Sequence, residues 1–107
     1  MQITVRKLVF APSARNEILT IATDIHKENP AAVGMWVLNL QETCKKIAAF
    51  PRMGRQRDDI LPGTFLFPYK KHLIFYEIRD DSVTILHVVH GARNLPDLFP
   101  PEDATAE

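Results

Sequence analysis

Between Lys71 and Arg93 the chain reads KHLIFYEIRDDSVTILHVVHGAR, two nearly solid apolar runs separated by a short acidic break. No other stretch limits the fold so tightly. Residues 73–78 and 83–89 are rich in Ile, Val, Phe and Tyr, which suit a pleated surface, so the stretch predicts a β-hairpin with Asp80 and Asp81 as its turn. Asp-Asp is a weaker hairpin turn than Asp-Gly. With those two residues as the loop, Ile78 faces Val83, Tyr76 faces Ile85, Ile74 faces His87 and His72 faces Val89, all on one side of the ribbon. The other side carries Lys71, Leu73, Phe75 and Glu77 with Thr84, Leu86, Val88 and His90. Both sides have apolar centres, so the hairpin is either covered on both faces by its own chain or keeps one for a partner.

The preceding segments are suited to cover it. Ile3, Val5, Leu8 and Phe10 open the chain in a strand pattern that Ala11-Pro12-Ser13 ends. Pro12 suits the first turn of a helix in which Ile18, Ala22 and Ile25 recur at helical spacing, with Leu19 and Ile21 widening the stripe. Asn29-Pro30 breaks and restarts the chain, Asn29 as N-cap and Pro30 as the first residue of a second helix. There Val33, Val37, Leu40, Cys44 and Ile47 form one apolar seam with Trp36 beside it, running on to Phe50 and stopped by Pro51. So short a link predicts an antiparallel helix pair.

Residues 51–63, PRMGRQRDDILPG, read as an ordered loop leading to a strand over 64–69, which Pro68 marks as an edge or bulged strand. After the hairpin, a turn or short helix over 91–99 is expected to fold Leu95, Leu98 and Phe99 back onto the body, with disorder beyond Pro100-Pro101. The order β-α-α-β-β-β predicts an α+β domain over residues 1–99: a helical hairpin on one face of a small, mainly antiparallel sheet, followed by an acidic tail over 100–107.

Composition narrows the functional classes. A chain of 107 residues with 46% apolar content has core enough for one domain and no room for two. MQITVRKLVF lacks a secretory apolar run, and no segment approaches the roughly 20 apolar residues of a membrane span, so a cytoplasmic protein is expected. Cys44 is the only cysteine, which excludes an internal disulfide and a cysteine-based metal cluster, and it is expected in the core. The 13 basic and 13 acidic residues balance, but unevenly along the chain. From Lys45 to Lys71 seven cations (Lys45, Lys46, Arg52, Arg55, Arg57, Lys70, Lys71) face only Asp58 and Asp59, a local excess of five. That excess fits either an anionic partner or a solvated basic rim.

Several features then resemble one family. Pro12-x-Ala14 opens the first helix, Asn29-Pro30-Ala31-Ala32 joins the helices, Phe50-Pro51-x-x-Gly54-Arg55 follows them, and Leu73-Ile74-Phe75-Tyr76 leads on to His90-Gly91-Ala92-Arg93-Asn94-Leu95. In order and spacing these are similar to ParE-type toxins of the RelE/ParE toxin–antitoxin superfamily, over roughly residues 3–99. The resemblance implies a small bacterial toxin held in a hetero-oligomer with a ParD-like antitoxin that wraps and neutralises it. ParE members are understood to poison DNA gyrase, meeting DNA only through it, whereas RelE members cut messenger RNA in the ribosome.

The two activities demand different chemistry. Metal-free RNA cleavage needs a base, an acid and cations around a phosphate that gains charge, for which the candidates are Tyr76, His87, His90, Arg93, Arg55 and Arg57. Odd spacing puts His87 and His90 on opposite faces of a regular strand, and the expected register sets Tyr76 beside His87 under the helices, where a hydrogen-bonded buried pair is the plain alternative to a catalytic one. Some RelE-type branches resemble one another in a C-terminal His-Tyr pair, but this chain ends in acidic PPEDATAE, which an RNA backbone would repel. No metal-ligand spacing, glycine-rich phosphate loop or nucleophile motif is present, so no cofactor or metal is expected. The reading is a non-enzymatic gyrase inhibitor. The ribosome-dependent nuclease is the alternative, and a family member kept only to bind its antitoxin is a third.

Under that resemblance, Arg52, Arg55, Arg57, His90 and Arg93 are the expected cationic rim toward gyrase, its DNA or the antitoxin; bracing of the loop by Arg55 and Arg93 is the other reading. Trp36, with a sheet face around Leu73, Phe75, Leu86 and Val88, is the expected apolar surface for the antitoxin, although Trp36 also fits a core position.

Overall fold

The computed structural model describes residues 6–91. Seven main elements follow in order: β1 (Lys7–Phe10), α1 (Pro12–Glu28), α2 (Val33–Ala49), β2 (Arg55–Gln56), β3 (Phe65–Tyr69), β4 (His72–Ile78) and β5 (Ser82–His90). The strands form one sheet in the order β1-β5-β4-β3-β2, parallel between β1 and β5 and antiparallel elsewhere. The α+β class and the helical hairpin on a mainly antiparallel sheet are as expected. The sheet has five strands, because two residues of the arginine-rich loop pair with β3 as β2. Pro68 lies where β3 has β4 alone beside it, an edge position that its missing N–H tolerates. Ile3 and Val5 of the expected first strand, the expected 91–99 segment beyond Gly91, and the 100–107 tail lie outside the described residues.

α1 packs Ala14 flush against the sheet, with Ile18, Ile21 and Ile25 half-buried above it. Leu19, expected to widen that stripe, points outward and is 67% exposed. Asn29 makes no side-chain cap; a 3₁₀ turn over Pro30–Ala32 intervenes and α2 begins at Val33. Proline at the first position of that turn fixes φ without leaving a stranded donor. The buried seam of α2 is Trp36, Leu40, Cys44, Ile47 and Ala48, so Trp36 lies within the seam rather than beside it. The start of α2 meets Tyr69 through Trp36, and its end meets the residue just before β1 through Arg6 N–H to Ala48 O, so α2 returns antiparallel to α1. No described helix is long and apolar enough to cross a membrane.

The central hairpin turns at Asp80-Asp81, and Ile78–Val83 and Tyr76–Ile85 pair as the sequence implies. Beyond them the register shifts. A β-bulge at Phe75/Tyr76 leaves Leu86 as the extra residue, so Phe75 faces His87, Ile74 faces Val88, Leu73 faces Val89 and His72 faces His90. This corrects the expected Ile74–His87 and His72–Val89 pairs, and with them the placement of His87 beside Tyr76. The physical reason is burial: straight pairing would aim His87 under the helices and Val88 away, whereas the bulge buries Val88 to 1% exposure. Where β1 ends, α1 satisfies the exposed flank of β5. Ser13 Oγ donates to Leu86 O (2.7 Å), and the Glu17 carboxylate accepts from Val88 N–H (3.0 Å) and meets His87 Nδ1 (3.0 Å).

Both hairpin faces are covered by the chain itself. Ile74, Tyr76, Val83, Ile85 and Val88 join the core beneath the helices, while Phe75 and Val89 meet Ile60 of the 51–63 loop on the opposite face, with Leu61, Leu66 and Leu73 around them. Full burial of such side chains stabilises by about 1.5–3 kcal/mol each, so the loop over Phe75 is held by its own small core.

Candidate functional site

The loop that carries the arginines is fixed from below by one tyrosine. Tyr76, fully buried at the middle of β4, stacks on Phe65 (centroids 5.6 Å apart). Its hydroxyl donates to Pro51 O (2.6 Å) and accepts from Gly54 N–H (3.0 Å). Gly54 permits that approach: a Cβ there would sit 2.3 Å from the Tyr76 oxygen and 2.9 Å from Leu66 O. Further along, Arg57 N–H donates to Thr64 O, Thr64 Oγ1 to Leu61 O, and the Asp58 carboxylate accepts from Gly63 N–H (2.9 Å) and Gln56 Nε2 (3.0 Å). The 51–63 segment is therefore ordered by a cross-braced set of bonds, as its proline and glycine content suggests.

The three loop arginines differ. Arg52 is exposed, its guanidinium 6.0 Å from the Phe65 centroid, and Arg55 is exposed on the sheet's edge strand. Arg57 instead makes a bidentate pair with Asp59 (2.9 Å for both bonds), and that bonding holds the Asp59 carboxyl below its ordinary range. Arg52 and Arg55 thus carry the outward charge.

His90 stands elsewhere. β3 and β4 separate its strand from β2, about 14 Å at the usual strand spacing. It meets His72 edge-on (5.4 Å), and His72 meets Trp36 (5.5 Å). Arg93 lies outside the described residues. An open groove of about 860 Å³ runs between α1 and this end of the hairpin, with Glu17, Asp24 and Glu28 on the helix side and Lys70, Lys71 and His90 on the strand side.

Of the expected antitoxin contacts, Trp36, Phe75 and Val88 are buried at 6%, 0% and 1% exposure by the chain itself, and Val88 lies on the helix-facing side, opposite Leu73 and Phe75. Leu73 and Leu86 keep part of their surface. The sequence reading passed over Met35, Leu38 and Met53, and ran the α2 seam on to Phe50; all four are exposed and off the buried seam. For Phe50, the signal was Pro51, which disfavours a helical conformation in the residue before it and ends the helix short of Phe50.

The titratable groups are also sorted by burial. Burial pushes the Cys44 thiol up to about 12, which keeps it protonated and inert at neutral pH, as its core position implies. Burial raises the Tyr76 phenol, partly offset by the Gly54 N–H, so the hydroxyl remains a donor. Burial, then His90 and Lys71, lower His72, whose Nδ1 is buried with no hydrogen-bond partner among the described residues. The unfolded chain therefore takes up a proton at His72 before the folded one does, and stability should fall as pH drops below about 6.5. Denaturant midpoints at pH 7.5 and 5.5 check this: His72→Gln should lose less of its own pH 7.5 stability than the native chain does. Among the described residues, no three His, Cys, Asp or Glu side chains are grouped to hold a metal.

The structure is thus a helical hairpin on a mainly antiparallel sheet, with two exposed arginines on a braced loop. The fold is shared with a chain of the chromosomal ParDE TA system from P. aeruginosa (TM-score 0.70, 15% identity, covering 80% of this chain and 96% of that one). The chain belongs to the family of ParE toxins of type II toxin–antitoxin systems, whose family model, described as ParE toxin of type II toxin-antitoxin system, parDE, matches residues 8–95. It is also 33% identical over 73 residues to Toxin ParE3 of Caulobacter vibrioides, covering 67% of this chain and 73% of that protein.

Proposed function

We propose that this toxin inhibits DNA gyrase by binding it and holding its DNA cleaved, without chemistry of its own, and that a ParD-like antitoxin neutralises it. One observation carries the reading: Arg52 and Arg55 project from a loop that Tyr76 holds rigid, so two cations are preorganised for an anionic or polar partner. The nuclease candidates support it by their placement. Tyr76 is fully buried with its hydroxyl doubly bonded, His87 is bound to Glu17, and His90 is on the other face of β5 from His87. Such groups are poorly placed to share one phosphate. For the antitoxin, Leu73, Leu86 and the charged groove beside α1 offer surface that a folding tail would cover.

The test is a supercoiling assay with purified gyrase. The native toxin should block supercoiling and accumulate cleaved DNA, and Arg52→Ala with Arg55→Ala should weaken inhibition by about tenfold or more, the scale of interfacial arginine hot spots. Full inhibition by that variant would remove the arginine assignment. Messenger RNA cleavage seen only with ribosomes present would replace the gyrase reading.

A further inference from the structure

The end of α2 holds an apolar surface that neither core uses. Phe50 is 59% exposed and Met53 41% exposed, and both line one shallow concavity of about 440 Å³ with Ala49 and Ile78. Arg6 and Arg52 stand in the same lining, and among the described residues no carboxylate does. By contrast, Trp36, Phe65, Tyr69, Phe75 and Tyr76 are each at most 9% exposed, and Phe10 and Phe67 are half-buried against the core. Phe50 is held out by its backbone. α2 ends at Ala49, Phe50 turns to φ −133° and ψ 71°, and Pro51 is itself buried and anchored through its carbonyl to Tyr76. The ring therefore projects from a fixed base and loses little freedom on being covered. Arg6 is steered by its Nε bond to Arg79 O (2.9 Å), and Arg52 by Phe65.

Single exposed apolar residues are ordinary, but an aromatic and a methionine side by side with two steered arginines match the make-up of interface centres. We infer that the Phe50–Met53 surface is the apolar centre of the contact with the toxin's target, and that it takes an acidic segment of protein carrying an apolar side chain. The inference rests on the reading of this chain as a gyrase-directed toxin and names the chemistry of the surface seized. The two cations, with no acid among the described residues of the lining, set the sign of the occupant. Nucleic acid fits less well, since binding a phosphate backbone draws on many cations, and the middle of this surface is apolar.

The experiment compares the full chain with Phe50→Ser plus Met53→Ser, and with Leu38→Ser, which alters an equally exposed residue earlier on α2. Both variants should melt close to the native chain, because the substituted side chains are solvent-exposed. Growth inhibition, gyrase supercoiling, binding to isolated gyrase subunits and binding to a 20-base-pair duplex are then measured. The double variant should lose about tenfold or more in growth inhibition and in affinity for a gyrase subunit, while Leu38→Ser loses neither. Unchanged growth inhibition and affinity would overturn the inference. So would native binding to the duplex alone that the double variant loses, which would make the surface a nucleic-acid site. If the native toxin inhibits growth but not gyrase, the gyrase reading fails by itself, and loss of growth inhibition in the double variant still supports a target surface at Phe50. Should the double variant melt well below the native chain, Phe50→Tyr, which keeps the ring and adds a hydroxyl, replaces it, and full activity with a tenfold weaker Phe50→Asp decides in favour.

Discussion

Replacing Gly54 by alanine should destabilise the folded chain by about 3 kcal/mol, at the upper end of the usual cost of overpacking. The backbone at Gly54 (φ −83°, ψ 169°) suits any residue, so the cost is purely one of space. The new methyl group would lie 2.3 Å from the Tyr76 hydroxyl oxygen and 2.9 Å from Leu66 O. Neither neighbour yields easily: Leu66 O is backbone of β3, and the Tyr76 ring is stacked on Phe65 and bonded to Pro51 O. For a domain of this size the loss corresponds to roughly 10–20 °C in melting temperature. Calorimetry reads it directly, and a shift under about 3 °C would show that the loop slides off the sheet at little cost.

Tyr76→Phe attacks the same junction from the other side. The ring and its stacking remain, but Pro51 O and Gly54 N–H lose their shared partner. A buried polar group left unpaired costs about 1–3 kcal/mol, so the substitution should cost about 2–6 kcal/mol for the two together. Amide exchange should accelerate most at Gly54 and its loop neighbours and least in α1. The two substitutions are also coupled. With the hydroxyl gone, the methyl at residue 54 meets less, so the double variant should be destabilised by clearly less than the sum of the single ones. Additive effects within about 0.5 kcal/mol would mean that the close approach contributes nothing.

How far the sequence foretold this arrangement depends on the range of the interaction. Local signals held. Pro12 starts α1, Pro51 stops α2 within a residue of the expected place, and Asp80-Asp81 turns the hairpin with Ile78 opposite Val83. Each depends on backbone restriction or alternation over a few residues. The bulge at Leu86 did not show, because the run Ile85, Leu86, His87 and Val88 alternates poorly and allows either parity. Only packing against α1 and the 51–63 loop decides which side each residue takes. The two residues of β2 are too few to leave a periodic signal.

For the candidate site, the gathering of Arg52, Arg55 and Arg57 in one loop was plain from spacing, whereas their inequality was not. Asp59 withdraws Arg57 through a bidentate bond that no charge count distinguishes from mere proximity. His90 looked close to the loop because both flank the hairpin in sequence, yet β3 and β4 lie between them in the sheet. Tyr76 is a candidate base by residue type, and its bracing of the loop is invisible in sequence, because bonds to residues 22 and 25 positions away leave no local trace. The exposure of Phe50 was hidden for the opposite reason, since a helical wheel carried one residue too far folds that ring inward.

The shift of register at Leu86 has one more consequence. It divides β5 into two halves of opposite parity, one matched to β1 and the other clasped by α1 through Ser13 and Glu17. Deleting Leu86 would remove the extra residue, so that Ile85, His87 and Val88 alternate regularly and each keeps its side of the sheet. The deletion would also take away the carbonyl that Ser13 holds, so its cost falls on the clasp of α1 rather than on which side chains are buried.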